Sequence, residues 1–260
     1  MKKYLALSLL ALTALASACS GTREGKPLVE PSTIISSPEN WHQYERQHVR
    51  FYEQFTAFDA KGEEIPRGAF LERLAQGNYY PVRLRAGNGS FHYQLYKLSP
   101  YDDDYVRAAV RQTGQNAYGY FQMEGKTLPD FSFVDLKGNV YTQETLRGKT
   151  VVLKGWFIKC TACVREMPEL NQLVKQYENR DDILFLSLAF DSEEDLKAFA
   201  QKRAFDYAIV PSQEKYLRED LNLSMYPTHI VINKQGLITY VVNDVRELIP
   251  LLERQVRETS

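Results

Sequence analysis

Cys160 and Cys163 stand two residues apart in Lys159-Cys160-Thr161-Ala162-Cys163. The apolar, β-rich run 151–158 precedes them, and residues 164–170, which read as helix, follow. A Cys-x-x-Cys pair at a strand-to-helix junction is the arrangement of a redox dithiol. In the first turn of a helix, unpaired backbone N–H groups and the positive end of the dipole favour an anion. The thiolate is the nucleophile in disulfide exchange, so Cys160 is expected to attack, its pKa lowered by this placement and by the charge of Lys159. Cys163, one turn deeper, would resolve the mixed disulfide. A structural disulfide across two residues closes a tiny loop and is a poor staple. A zinc site needs about four ligands, and the chain has no second cysteine pair.

The elements that must hold this pair run from residue 125 to the C-terminus. Residues 125–141 read as a strand, an Asp/Gly turn and a second strand, and 142–146 as a short helical turn. The strand 150–157 leads to the cysteines, and 170–177 continues their helix. Residues 183–190 are a buried, parallel-type strand. Ser192-Glu193-Glu194-Asp195 has the form of a capping box before a helix to Lys202. A brief strand at 207–210 and a helix at 213–221 follow. Residues 229–232 and 237–242 form a hairpin around Asn233-Lys234-Gln235-Gly236, and 245–256 is an amphipathic helix.

Residues 41–124 are expected to form a smaller α+β region. Trp41, Tyr44, His48, Phe51, Tyr52 and Phe55 recur at helical spacing, with a cap from Ser37 or Asn40. Residues 55–58 read as a strand, 66–76 as a helix stopped by Gly77, 80–85 and 91–96 as a hairpin, and 101–121 as a helix with Asp102, Asp103 and Asp104 in its first turn. His42, His48 and His92 have no metal-ligand spacing. Asp59-x-Lys61-Gly62 departs from a calcium loop in its glycine position and in its lysine, so no metal is expected. The region's role is open.

At the start, Met1-Lys2-Lys3 is basic and residues 4–18 are apolar, too short to span a bilayer and suited to a signal peptide. Leu15-Ala16-Ser17-Ala18-Cys19 resembles a lipobox, with Ala16 where Leu or Val is more usual. Residues 1–18 are therefore read as a signal peptide, Cys19 as the lipidated residue, and 19–40 as a polar tether. The alternative is ordinary cleavage after Ala18 with a free Cys19 thiol. Either outcome places the mature chain outside the cytoplasm. Ser20 is not an inner-membrane retention residue, so a periplasmic protein anchored in the outer membrane is expected. The net charge of -1 gives no sign of nucleic-acid binding. With Cys19 acylated, only Cys160 and Cys163 of the three cysteines remain, and that pair is free to cycle.

From Gly125 onward the sequence resembles the TlpA/ResA family of thiol-disulfide oxidoreductases, within the AhpC/TSA-like group. The likeness rests on Leu128-Pro129-Asp130-Phe131 with Asp135-x-x-Gly138, on Lys149-Thr150-Val151-Val152-Leu153 and Trp156-Phe157, and on Cys160-x-x-Cys163-x-x-Glu166-x-Pro168. Tyr226-Pro227-Thr228 and the Asn233-to-Gly236 turn complete it. The resemblance implies an α/β thioredoxin fold, a central mixed sheet flanked by helices with an N-terminal β-hairpin. It implies Cys160 and Cys163 as the redox pair, and Glu166 as the group that exchanges a proton with the resolving thiol. It also implies a cis peptide at Pro227, with Tyr226, Pro227 and Thr228 meeting the substrate as an added strand. No cofactor is implied beyond the Cys160–Cys163 disulfide. The expected partners are exported proteins with disulfides and a membrane thiol that donates electrons. Many relatives have Pro between the cysteines or Trp before them; here Thr161-Ala162 and Lys159 stand there, and redox poise depends on this neighbourhood.

Lys154, Lys159 and Trp156 are expected to support the site. Strand alternation puts Lys154, Trp156 and Ile158 on one face. A charge on a doubly covered strand must be paired or neutralised. Two outcomes are open: a Lys154–Glu166 pair behind Cys163, or a buried stem with the amine reaching solvent. Two other functions also compete. A thiol peroxidase would need a peroxide-reactive cysteine with Thr and Arg partners. A lipid-anchored binding protein would use residues 41–124 and keep the remainder as scaffold.

Overall fold

The computed structural model describes residues 25–87 and 89–258, so residues 1–18, expected to be a signal peptide, and Cys19 lie outside the described residues. The first unit contains α1 (Pro31–Ile34), α2 (Pro38–His48), β1 (Phe55–Phe58), β2 (Glu64–Ile65), α3 (Arg67–Ala75), β3 (Tyr79–Leu84), β4 (Phe91–Lys97) and α4 (Asp104–Met123). Its sheet runs β2-β1-β4-β3, with β1 parallel to β4 and the other pairs antiparallel. Ser37 caps α2 by accepting from the Asn40 N–H at 3.2 Å, and Asp103 caps α4 by accepting from the Val106 N–H at 3.0 Å, each satisfying an otherwise unpaired donor. Trp41, Phe70, Leu74 and Tyr93 form the centre of a core between helices and sheet. Gly114 is required where α3 and α4 touch, because a Cβ there would lie 2.6 Å from the Leu74 carbonyl carbon.

Two expectations change here. The aromatic periodicity does not describe one helix: Val49 is extended, α2 ends at His48, and Phe55 belongs to β1. Nor is 19–40 a tether along its described part. Pro27 bridges Leu84, the Leu28 N–H donates to the Arg83 carbonyl at 2.9 Å, and Ile34 is buried in the core. The few apolar residues in this polar stretch, Val29, Ile34 and Ile35, supply the surface that folds it back.

The second unit has the thioredoxin fold. After the short hairpin β5 (Phe133–Val134) and β6 (Val140–Tyr141) come α5 (Gln143–Leu146), β7 (Thr150–Trp156), α6 (Thr161–Arg165), α7 (Met167–Gln176), β8 (Ile183–Ala189), α8 (Glu193–Ala200) and β9 (Ala208–Val210). A π-helical segment (Tyr216–Asp220), β10 (Thr228–Ile232), β11 (Ile238–Val242) and α9 (Val245–Glu258) complete it. The sheet order is β11-β10-β7-β8-β9; β7, β8 and β9 are parallel, and β10 is antiparallel to both β7 and β11. Every residue of β7 is buried. Val151 and Leu153 face one apolar core, and Val152 and Trp156 the opposite side, under α7, α8 and α9.

The cysteine helix is not continuous. It breaks at Glu166, between α6 and α7, because Pro168 has no N–H to offer the Val164 carbonyl. The helix expected at 213–221 is present, but over Tyr216–Asp220 it is wound as a π-helix, closed by a 2.9 Å bond from the Leu221 N–H to the Tyr216 carbonyl. That widening lets Tyr216, Leu217 and Leu221 all reach the core.

The two units share apolar packing. Tyr120 and Met123 of α4 lie against the core beside β11, and Tyr52 lies against the core under α9. Arg254 of α9 pairs with Glu53 at 2.8 Å.

Candidate active site

β7 delivers the chain to a turn pinned by the Ile158 N–H, which donates to Asp191 Oδ2 at 2.7 Å. Cys160 then takes the N-cap position of α6. Its Sγ accepts from the Cys163 N–H at 3.2 Å, so a negative charge on this sulfur meets a backbone donor. The two cysteines are joined as a disulfide, with Cα atoms 5.2 Å apart. Cys160 retains 8% exposure and Cys163 none, which makes Cys160 the sulfur a partner can reach. Trp156 is fully buried in the cluster with both cysteines and Met167, its ring 5.4 Å from Phe199. Lys159 is exposed and makes no hydrogen bond or ion pair among the described residues.

The Tyr226-Pro227 peptide is cis, and the Tyr226 carbonyl oxygen lies 3.8 Å from Cys160 Sγ. The Tyr226 ring stands edge-on to Phe190 at 4.9 Å and to Phe157 at 6.0 Å, and Arg218 lies 4.9 Å over Phe190. Thr228 Oγ1 donates to the Met225 carbonyl at 2.5 Å. Asn243 Nδ2 donates to the Pro227 carbonyl at 2.8 Å and to Thr228 Oγ1 at 3.0 Å. The loop is thus held from both ends while Met225 stays exposed.

Behind the disulfide lies a buried polar group of three. Lys154 is fully buried and its amine donates to Glu166 Oε1, so the pair forms and the amine does not reach solvent. Nε2 of His229, also fully buried, lies 3.0 Å from the same oxygen. Burial pushes the Lys154 amine down, and contact with Glu166 opposes that. Burial acts to raise Glu166, but the His229 contact and the Lys154 charge outweigh it and hold the carboxyl below its usual range. Burial and the neighbouring Lys154 charge lower His229. Glu166 also lines a cleft of about 350 Å³ with Ala162, Pro227 and Asp244, which gives its carboxyl a route to solvent.

The structure therefore brings together Cys160, Cys163, Trp156, Tyr226, Pro227 and Thr228, of which only Cys160 and Tyr226 are open to a partner, and it pairs Lys154 with Glu166 in the interior. Sequence reasoning missed His229, Asn243 and Asp191. A signal existed for His229: alternation in His229-Ile230-Val231-Ile232 puts the imidazole on the same face as buried Val231. No comparable signal marks Asn243 or Asp191, whose partners are distant in the chain. Among the described residues there is no His/Cys/Asp/Glu cluster that could hold a metal.

The arrangement can carry out dithiol–disulfide exchange, with an accessible sulfur, a buried second sulfur and a carboxylate behind them. Comparison with known proteins agrees. Residues 123–250 match the Redoxin family model. The thioredoxin-like protein YneN of Bacillus subtilis is 30% identical over 137 residues, 50% of this chain and 80% of that one. The thiol-disulfide oxidoreductase ResA of Geobacillus kaustophilus is 30% identical over 119 residues, 45% of this chain and 68% of that one. The thioredoxin domain of a thiol-disulfide oxidoreductase from Bacteroides vulgatus covers 50% of this chain and 96% of that one, at 23% identity and a TM-score of 0.46. Through its second unit the chain belongs to the TlpA/ResA-like family of thioredoxin-fold thiol-disulfide oxidoreductases.

Proposed function

We propose that this enzyme works outside the cytoplasm, tethered to a membrane through Cys19, and reduces disulfides of exported proteins. The observation that carries the reading is the Cys160–Cys163 pair, its outer sulfur beside the Tyr226 carbonyl and its inner one fully buried, three residues ahead of the buried Glu166. In the reduced state the Cys160 thiolate attacks one sulfur of a substrate disulfide, and the electron pair of the broken bond leaves on the other sulfur. The substrate segment pairs with the backbone of residues 226–228 as an added strand. Cys163 then gives its proton to Glu166 and attacks Cys160, and the second substrate sulfur leaves with the electron pair. The disulfide so formed is reduced again by a membrane dithiol, which supplies the two electrons.

The signal-like segment 1–18 and the lipobox-like run to Cys19 support the location, and Ser20 favours the outer membrane. No described helix is long and apolar enough to cross a membrane. Trapping with Cys163→Ser in the native cell envelope, followed by mass spectrometry, tests the reading. Mixed disulfides between Cys160 and exported proteins are expected. Recovery of no cysteine-containing partner, or a phenotype that survives replacement of both cysteines by Ser, would leave the first unit as the working part.

A further inference from the structure

We propose that His229 is a positioning residue of the thiol chemistry: its Nε2–H holds Glu166 Oε1 from the strand that carries the cis-proline loop, keeping the carboxylate in place to take the Cys163 proton. The inference rests on the reading of Glu166 as the proton acceptor, and adds a residue outside the signature around the cysteines.

The geometry comes from sheet register. His229 on β10 stands directly opposite Lys154 on β7, so both side chains leave the same face of the sheet. Both meet the same carboxylate oxygen at the break between α6 and α7, the Lys154 amine by a hydrogen bond and His229 Nε2 at 3.0 Å. The other residues of β10 that enter the cores are apolar: Ile230, Val231 and Ile232. A fully buried imidazole among them loses its hydration and needs a partner to offset that loss. Glu166 is the partner.

The contact also assigns the tautomer. An ionised carboxylate oxygen only accepts, so Nε2 must carry the proton. The groups facing the imidazole are Glu166 from the α6–α7 junction, Lys154 from β7 and Asp244 from the connection before α9. Tyr207, ahead of β9, is buried within the field of Glu166; burial first and that charge second push its hydroxyl up, so it is uncharged. A second proton on His229 would place a cation beside Lys154 in a dry site. His229 therefore stays neutral; neither ring nitrogen makes a well-aligned hydrogen bond among the described residues, Nε2 meeting Glu166 Oε1 by its 3.0 Å approach and Nδ1 having no proton to pass on. The ring orients the acceptor and does not replace it.

Resolution moves one proton and one electron pair. The Cys163 S–H bond breaks and its proton moves to Glu166. The sulfur's electron pair forms the Cys160–Cys163 bond. The bond from Cys160 to the substrate sulfur breaks, and its pair leaves on that sulfur. Glu166 then releases the proton into the cleft it lines beside Ala162 and Pro227. Two donors on Oε1 keep Glu166 a weak base, so the proton crosses it without lodging there. His229 follows Thr228 in the chain, which ties the acceptor's position to the loop where substrate pairs.

The experiment mixes reduced enzyme with dithiobis(nitrobenzoate) and follows the coloured thiol. One equivalent leaves on Cys160 attack and a second on resolution by Cys163. Both phases are measured from about pH 5 to about pH 9 for wild type, His229→Leu, His229→Gln and Glu166→Gln. With an ionised carboxylate as acceptor, the wild-type second phase should be nearly flat down to the carboxylate's own titration. In His229→Leu the carboxylate loses a donor, and the point where the rate turns down should move up by about one pH unit, on the order of a tenfold loss at pH values below it. The first phase should change by less than about twofold, which also reports that the variant is folded. His229→Gln, whose amide N–H reaches the position of Nε2, should restore the wild-type profile. A His229→Leu profile identical to wild type, or a His229→Gln profile shifted as far as Leu, overturns the proposal. Glu166→Gln separates the two readings. If it alone makes the second phase fall steadily with decreasing pH while His229→Leu does not, only the assignment of His229 fails. If it leaves the wild-type profile intact, Glu166 is not the acceptor and both fail.

Discussion

Tyr120 of the first unit donates a 2.9 Å hydrogen bond to Asn243 Oδ1, and Asn243 holds the Pro227 carbonyl through its amide nitrogen. A helix outside the thioredoxin fold is thereby two hydrogen bonds from the cis-proline loop. Tyr120→Phe removes one of them and should cost about 1 kcal/mol in denaturant unfolding, with Cys160 alkylation unchanged. Asn243→Ala leaves both the Pro227 carbonyl and the Tyr120 hydroxyl without this partner. It should lower reduction of a protein disulfide several-fold more than it slows Cys160 alkylation. Equal losses in both assays would mean that the loop's position does not depend on Asn243.

The N-cap placement of Cys160 predicts a reactive thiolate. In Cys163→Ser the backbone N–H of residue 163 is preserved, so its hydrogen bond to the Cys160 sulfur should persist. Alkylation rate against pH should then give a midpoint below the ~8.5 of a free thiol. A midpoint at or above that value rules out activation by the helix start.

Lys154→Met leaves the Glu166 carboxylate buried without its cation. Breaking such a pair typically costs about 3–5 kcal/mol, and the double variant Lys154→Met/Glu166→Gln should recover part of it. Kinetically, Lys154→Met should slow resolution of the mixed disulfide near neutral pH more than it slows the first attack. Chemical denaturation and the two-phase assay check the two halves separately.

Stability should depend on pH through two groups of opposite sign, the buried His229 and the partly buried Glu247. His229 is lowered from its ordinary 6.5 by burial, so the folded state disfavours its charged form. Its contribution is complete above about pH 6.5 and is lost as pH falls through the folded value. Glu247, which lines a cleft between α2, α4 and α9, is raised to about 7 by burial first and by Asp244 second. Its ionisation costs stability as pH rises from about 4.5 towards 7. Glu247→Gln should therefore stabilise the protein at pH 8 by on the order of 1–2 kcal/mol, discounted for its partial exposure, and have little effect at pH 4. Denaturant unfolding at the two pH values reads the difference; a gain at pH 4 as large as that at pH 8 would assign it to packing.

The chemistry of the site was legible where it depends on short spacing. Cys160 and Cys163, and Pro227 ahead of a strand, are local patterns, and alternation along β7 sufficed to place Lys154 on the same face as Trp156. His229 was invisible because its role depends on the register between β10 and β7, which are more than seventy residues apart along the chain. Pro168 carried the signal for the break at Glu166, yet the apolar spacing on either side reads as one helix. The stretch before Trp41 failed for a compositional reason. Ser, Pro and Thr dominate it, and Ile34, buried to 1% exposure, outweighs them through one contact surface.

The docking of Tyr120 and Met123 beside β11, with Tyr52 under α9, bears on how the protein can be taken apart. The Redoxin match covers residues 123–250, which invites cutting the chain near residue 124 to isolate a minimal oxidoreductase. Such a fragment would keep both Cys160 and Cys163 and lose the aromatic and thioether cover on two of its cores. It would also release Arg254 from Glu53. The exposed apolar surface would lie next to the cis-proline loop, so pairing between fragments would compete with substrate at the same place. A truncated enzyme of this kind should show activity that falls as its own concentration rises, whereas the intact chain should not.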